Sequence, residues 1–206
     1  MPRRADSSSI LLPSDSQRSL GTATHFSGIW GRSKVRRTYR PRSIRRFTAL
    51  AVLADSGLLI AAVNRGDRHH AWATRHIVAA RQQQVRIAVP DIVVGEAFTK
   101  LRYDRRVSPR KDASVALTVF RMVEDNSGLF ELRPTGTASY RRARTILAQY
   151  VDQSFSYVDA VAFTVVDADP EIRQVLTVDR RDFSTYRFAH AVEVIVPWAH
   201  SSRQSQ

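Results

Sequence analysis

Residues 49–63 read ALAVLADSGLLIAAV, fifteen residues carrying a single charge, Asp55. The apolar run Leu50–Leu53 is short and ends at Asp-Ser-Gly, which predicts a buried strand followed by a turn. Ser56–Val63 then predicts a helix packed closely behind it. The carboxylate is thus expected at the point where a buried strand hands over to a helix. Such a group near apolar walls costs several kcal/mol unless something compensates it. Asp55 also interrupts the stretch, so no run of about 18 uncharged apolar residues exists and no membrane span is expected.

Working outward, strands and helices alternate. Asp67 is expected to cap a helix through about Gln84, with Trp72, His76, Ile77 and Ala80 at helical spacing. RIAVP (86–90) predicts a second strand, and Asp91 the cap of a helix through about Arg106. Ser108-Pro109 predicts the start of a helix to about Asn126. LFELRP (129–134) is a third strand, followed by a helix from Thr135 or Thr137 to about Val151. Ser156 caps a further helix through about Val166. QVLTVD (174–179) and VEVIVP (192–197) are the fourth and fifth strands. This alternation predicts an α/β fold, a mostly parallel sheet of about five strands covered by helices on both faces.

The chain of 206 residues suits one core of ordinary size. Cysteine is absent, which excludes disulfides, thiolate catalysis and Cys-ligated zinc and fits a reducing cytoplasm. The net charge of +13 is unevenly placed: residues 1–48 contribute +9 and the other 158 only +4. That leader is Ser-rich, has no sustained period and is expected to be disordered, as is the tail 201–206. It reads as an electrostatic nucleic-acid arm, as a targeting leader around SIRRFTALAVLA, or as sequence ahead of a true start near residue 48. Asp55 counts against the targeting reading. No G-x-S-x-G, G-x-G-x-x-G or G-x-x-x-x-G-K-[ST] segment occurs, so esterase-elbow, dinucleotide and P-loop chemistries are not supported.

In open parallel sheets ligands bind beyond the carboxyl ends of the strands. Asp55 and Asp179 follow the first and fourth strands there, Glu96 lies in the second turn of the helix after the second, and Asp159 lies in the first turn of its own helix. Each has an ordinary structural reading. Ser156-x-x-Asp159 resembles a capping box, Asp179 a turn residue, Glu96 a solvated helix residue and Asp55 a strand-end turn. Together they point elsewhere. Two carboxylates about 4 Å apart repel by roughly 4 kcal/mol at an effective dielectric of 20. Four from separate segments make sense around a hard divalent cation, and the chemistry that follows is metal-assisted phosphodiester hydrolysis.

Four stretches carry a family resemblance: VLADSGLLIAAVNRGDRHHAWA (52–73), VPDIVVGEAFTKL (89–101), SFSYVDAVAFTVV (154–166) and VLTVDRRDFSTYR (175–187). The chain resembles the PIN-domain ribonucleases, and within them the VapC-type toxins of bacterial toxin–antitoxin pairs. The resemblance covers most of residues 50–198, implying a PIN domain over 49–200 with a three-layer fold, while residues 1–48 match nothing in the family. It implies that Asp55 and Asp159 are direct metal ligands and that Glu96 and Asp179 complete the acidic set. Thr177 and Ser56 match hydroxyl positions lining the site, and Asp182 a less constant neighbour. It further implies Mg²⁺ or Mn²⁺, an RNA substrate (tRNA, rRNA or mRNA), a homodimer, and an antitoxin whose tail blocks the site.

Arg180 and Arg181 flank Asp179, and Arg141, Arg142 and Arg144 share a predicted helix; all suit the RNA backbone. His69-His70 and His76 have no carboxylate cluster local to them in the sequence. DSGLLI also begins like a haloacid-dehalogenase phosphatase, but Gly57 stands where that site needs a second aspartate. Two other functions compete: a non-catalytic RNA-binding module using the basic arm, and a structure-specific DNA nuclease on a related scaffold.

Overall fold

A computed structural model of the chain describes residues 47, 50–108 and 113–197. The expectations for the leader, for Pro109 and for the tail therefore concern residues outside those described, apart from Phe47. The strands are β1 (Ala51–Ala54), β2 (Arg86–Pro90), β3 (Phe130–Arg133), β4 (Ile172–Leu176) and β5 (Glu193–Ile195). The helices are α1 (Ser56–Val63), α2 (His70–Gln82), α3 (Asp91–Tyr103), α4 (Ser114–Glu124), α5 (Thr137–Gln149), α6 (Tyr157–Ala168) and α7 (Arg180–Thr185).

All five strands pair in parallel, in the order β3-β2-β1-β4-β5. Successive side chains of a strand point to opposite faces, and β1 uses both. Val52 and Ala54 join the core formed with α1, α2, α3 and α4. Ala51 and Leu53 join the core formed with α5, α6 and α7. The result is the expected three-layer α/β fold, and β1 is buried along its whole length because both faces are covered. The chain steps from β1 outward to β3, then returns across β1 to β4 and β5. The order of strands thus reverses between β1 and β4, and a crevice opens beyond their carboxyl ends.

The second core is sealed by aromatic rings. Phe163 of α6 meets Phe183 of α7 edge-on at 5.2 Å and stacks on Tyr186 at 4.3 Å, with an interplanar angle of 6°. Phe155 and Phe188 complete the cluster around Phe163. These contacts hold the middle of α6 against α7 and the residues that follow it.

Several boundaries differ from the sequence reading. Asp67 does not cap α2; His69 occupies that position, and the Asp67 carboxylate instead accepts the His69 N–H at 2.7 Å within a turn. Asp91 is the first residue of α3 rather than its cap, and its carboxylate accepts from the N–H and hydroxyl of Thr135, tying α3 to the loop after β3. The helix expected to open at Ser108 is found as α4, starting at Ser114. The short α7 has no counterpart in the sequence reading.

Gly57 shows how tightly α1 packs on the loop after β4. A Cβ built there would lie 2.3 Å from Val178 Cγ2, whereas one at Gly95 of α3 would meet nothing within 4 Å. Gly57→Ala is expected to destabilise the chain by about 1–3 kcal/mol through overpacking, with partial recovery in the Gly57→Ala/Val178→Ala pair. Gly95→Ala should stabilise it by about 0.5–1 kcal/mol, as an alanine does in a helix interior. Urea unfolding of the three variants checks both, and a neutral Gly57→Ala would contradict the packing described.

Candidate active site

Asp55 caps α1 from the end of β1. Its backbone N–H donates to Leu176 O at 3.1 Å, so the turn is held against β4 by a main-chain bond. Its carboxylate accepts from Ser56 N at 2.6 Å and from the Thr177 hydroxyl at 2.8 Å. Thr177 is fully buried and also accepts the Asp179 N–H at 2.9 Å, so one hydroxyl orders both acids.

Asp159 is brought in by the capping box foreseen in the sequence. The Ser156 hydroxyl accepts the Asp159 N–H at 3.1 Å, and the Asp159 carboxylate accepts the Ser156 N–H at 2.8 Å. Asp179 caps α7, accepting from Arg181 N at 2.9 Å and Asp182 N at 3.4 Å. Both carboxylates therefore stand at helix N-termini, where the helix dipole favours negative charge. Glu96 lies one turn into α3 and pairs with Lys100 at 3.1 Å, while Lys100 Nζ also reaches the Ser56 hydroxyl at 3.4 Å.

These residues line one open cleft of about 410 Å³. Asp55, Glu96, Asp159, Asp179, Asp182 and Ser56 all border it, and Thr177 stands behind Asp55. Arg180, Arg181 and Arg141 do not line it; all three are exposed, the first two directly after Asp179 and the third on α5. The cleft has members that the sequence reading passed over: Asp67, His69, Lys100, Ser154 and Ser156. His69 stood in a doublet with one acid, Asp67, near it in sequence, and it lines the cleft together with five further carboxylates. His70 and His76 instead bond the carbonyls of Ala61 and Trp72. Lys100 was legible as the i+4 partner of Glu96.

Six carboxylates thus face one ammonium, that of Lys100, among the lining side chains. Burial pushes the Asp55 carboxyl up to about 6, its two hydrogen bonds oppose the shift, and the nearby Asp159 and Glu96 charges add to it. Burial also raises Asp182, with Asp179 and Asp159 adding repulsion. Burial and the adjacent Arg68 charge lower His69, which favours a neutral ring.

The donor set is all oxygen and anionic, which suits a hard divalent cation. In their present rotamers, however, no group of three or more His, Asp or Glu side chains among the described residues is arranged to hold a metal ion. The hydrogen bonds explain why. Asp159 and Asp179 are turned onto helix N–H groups and Glu96 onto Lys100. Cation binding to several of them at once would require these side chains to turn.

Asp55 holds its proton more tightly in the folded chain, at about 6 against 3.8 for a free aspartate. Between those values the folded state binds more protons, so this group's contribution to stability falls as pH rises. Above about pH 6 the penalty is complete and is on the order of 3 kcal/mol. Without added metal, Asp55→Asn should therefore melt higher than the parent at pH 7.5, by about 1–3 kcal/mol of stability, and the gain should vanish below about pH 4. A difference independent of pH would contradict the desolvation described.

No protein-family model matches the chain, and no curated protein does. Solved structures do. The crystal structure of VapC20 from Mycobacterium tuberculosis, described as a toxin cleaving the sarcin–ricin loop, is 19% identical, with a TM-score of 0.54 over 65% of this chain and 93% of that one. VapBC2 from Rickettsia felis, crystallised on a promoter DNA fragment, is 15% identical, with a TM-score of 0.49 over 71% of this chain and 98% of that one. The likeness to VapC20, with the all-parallel five-stranded sheet between two helical layers, establishes that the chain has the VapC-type PIN-domain fold.

Proposed function

We propose that this chain is a divalent-metal-dependent endoribonuclease and the toxin of a toxin–antitoxin pair. The observation that carries the reading is the cleft, where Asp55, Glu96, Asp159 and Asp179 meet from four separate segments at the carboxyl edge of a PIN-type sheet. The description of VapC20 as a toxin that cleaves the sarcin–ricin loop adds support by analogy of fold.

Asp55 and Asp159 would hold Mg²⁺ or Mn²⁺, directly or through water, with Glu96 and Asp179 completing the acidic bowl. When bound, such an ion would supply charge neutralisation at the phosphate and ease deprotonation of the attacking water. The other roles belong to the chain. Thr177 and the Ser56 N–H hold the Asp55 carboxylate in one orientation. Ser56 and Lys100, side by side at the cleft wall, can hydrogen-bond a non-bridging phosphate oxygen. Glu96 and Asp179 orient the attacking water. In-line attack by that water forms one P–O bond and breaks the P–O3′ bond, so that O3′ leaves, takes up a proton and becomes the 3′-hydroxyl while the phosphate stays on the 5′ side; no 2′-hydroxyl is needed as nucleophile. Arg180, Arg181 and Arg141 are exposed and suited to the RNA backbone outside the cleft. Asp182 serves as an accessory acid.

As a toxin the protein would act in the cytoplasm as a homodimer, held inactive by a cognate antitoxin. No described helix is long and apolar enough to cross a membrane.

Purified protein should cut structured RNA with Mg²⁺ or Mn²⁺ and stop with EDTA, and Asp55→Asn should abolish cutting while remaining folded. Thr177→Val keeps the carboxylate but frees it to rotate, and should slow cutting by about 10- to 100-fold. Mapping of cleaved ends checks both the rate and the 5′-phosphate. RNA binding that survives Asp55→Asn with no cutting by the parent would favour a non-catalytic RNA-binding protein. Preferential cutting of flapped DNA would favour a DNA nuclease.

A further inference from the structure

We infer that Tyr140 and Tyr157 form a stacking platform for one unpaired RNA base at the rim of the acidic cleft; this rests on the nuclease reading and specifies its substrate. Tyr157 is the first residue of α6, adjacent to Ser156, which lines the cleft, and two residues before Asp159. Tyr140 is in the first turns of α5. Their rings meet at 6.4 Å and 61°, yet Tyr140 is 51% and Tyr157 41% exposed. Two large aromatic side chains from two helices thus share one patch open to solvent, beside the site where a phosphate would be cut.

The charges around them favour nucleic acid. The cleft itself, with six carboxylates, repels a phosphate backbone until it is neutralised. Much of the hold on RNA must therefore come from groups outside it. Arg144 follows Tyr140 by four residues, on the same face of α5, and Arg141 is next to it; both are exposed. Among the described residues Arg142 makes an ion pair, with Asp167, while no acidic side chain pairs with the guanidinium of Arg141 or Arg144. A ring pair for a base beside guanidinium groups for its phosphates is the composition of single-strand-binding surfaces. A stacked base must be unpaired, so the substrate is a loop, bulge or single strand rather than a continuous duplex. Stacking tolerates any base, so the platform sets the register of the cut more than its sequence.

The test uses the full chain carrying Asp55→Asn, so that RNA is bound and not consumed, with single-stranded RNAs containing one 2-aminopurine at successive positions. One position should lose fluorescence on binding, and a duplex of the same sequence should bind more weakly. Tyr157→Ala should weaken single-strand binding at least about fivefold and remove that quench, whereas Tyr157→Trp should keep both. In the active chain the alanine change should raise KM more than it lowers kcat. Tyr140→Ala makes the same test should Tyr157→Ala fail to fold. Folded alanine variants that bind and quench like the parent overturn the platform, as does equal binding of duplex. So does unchanged RNA binding with lost antitoxin association, which would assign this face to the antitoxin. A parent chain that quenches but never cuts overturns the nuclease reading alone, so the two failures are distinguishable.

Discussion

Asp55 sits where the order of strands reverses, 7% exposed, between the end of β1 and the start of α1. Its main-chain N–H is bound to β4, and its carboxylate to Thr177 in the segment that follows β4. The arrangement joins the two strands that flank the crevice and fixes where the remaining acids must fall. It also leaves a poorly solvated carboxylate, with two hydrogen bonds and two nearby negative charges, whose pKa stays raised at about 6. A chain selected for stability alone would have little use for such a group. Its presence is most economically explained by something positive that belongs in the cleft.

The other acids are held more cheaply. Asp159 closes the capping box of one helix and Asp179 caps another, and each is followed four residues later by a phenylalanine, Phe163 and Phe183, in the aromatic cluster. The capping interactions and the ring contacts are local and would stabilise these helices with or without a ligand. They also set two carboxylates at the rim of the same cleft. A structural reading and a chemical reading of these aspartates are therefore not alternatives. Glu96 is different. Its partner is Lys100, which is more than half exposed, so the pair is weak and can separate at little cost.

Much of the fold could be read from the chain because the central strands β1, β2 and β4 are largely buried on both faces. Apolar runs such as RIAVP, bounded by turn residues, stand out, and β2 and α1 fall on their expected residues. The acids were legible for a related reason. Asp55 and Asp179 follow strands, Glu96 lies in the helix after β2, and a parallel sheet carries all three to one edge. What was not legible depends on tertiary contact. The six residues of α7 are too few to show a helical period and are held by Phe183. Asp67 looked like a cap, but the turn before α2 uses its carboxylate one residue earlier. His69 and Lys100 come to line one cleft with Asp55, Asp159 and Asp179 only through folding.

The central claim is that this cleft takes up a divalent cation to relieve crowded carboxylates. Titration of Mn²⁺ into metal-free protein, followed by the electron paramagnetic resonance signal of the free ion, tests it without reference to any substrate. The account predicts saturable loss of that signal, largely abolished by Asp55→Ala and by Asp159→Ala in folded protein. A free-ion signal undiminished by the parent chain at millimolar Mn²⁺, or uptake indifferent to both substitutions, would contradict it.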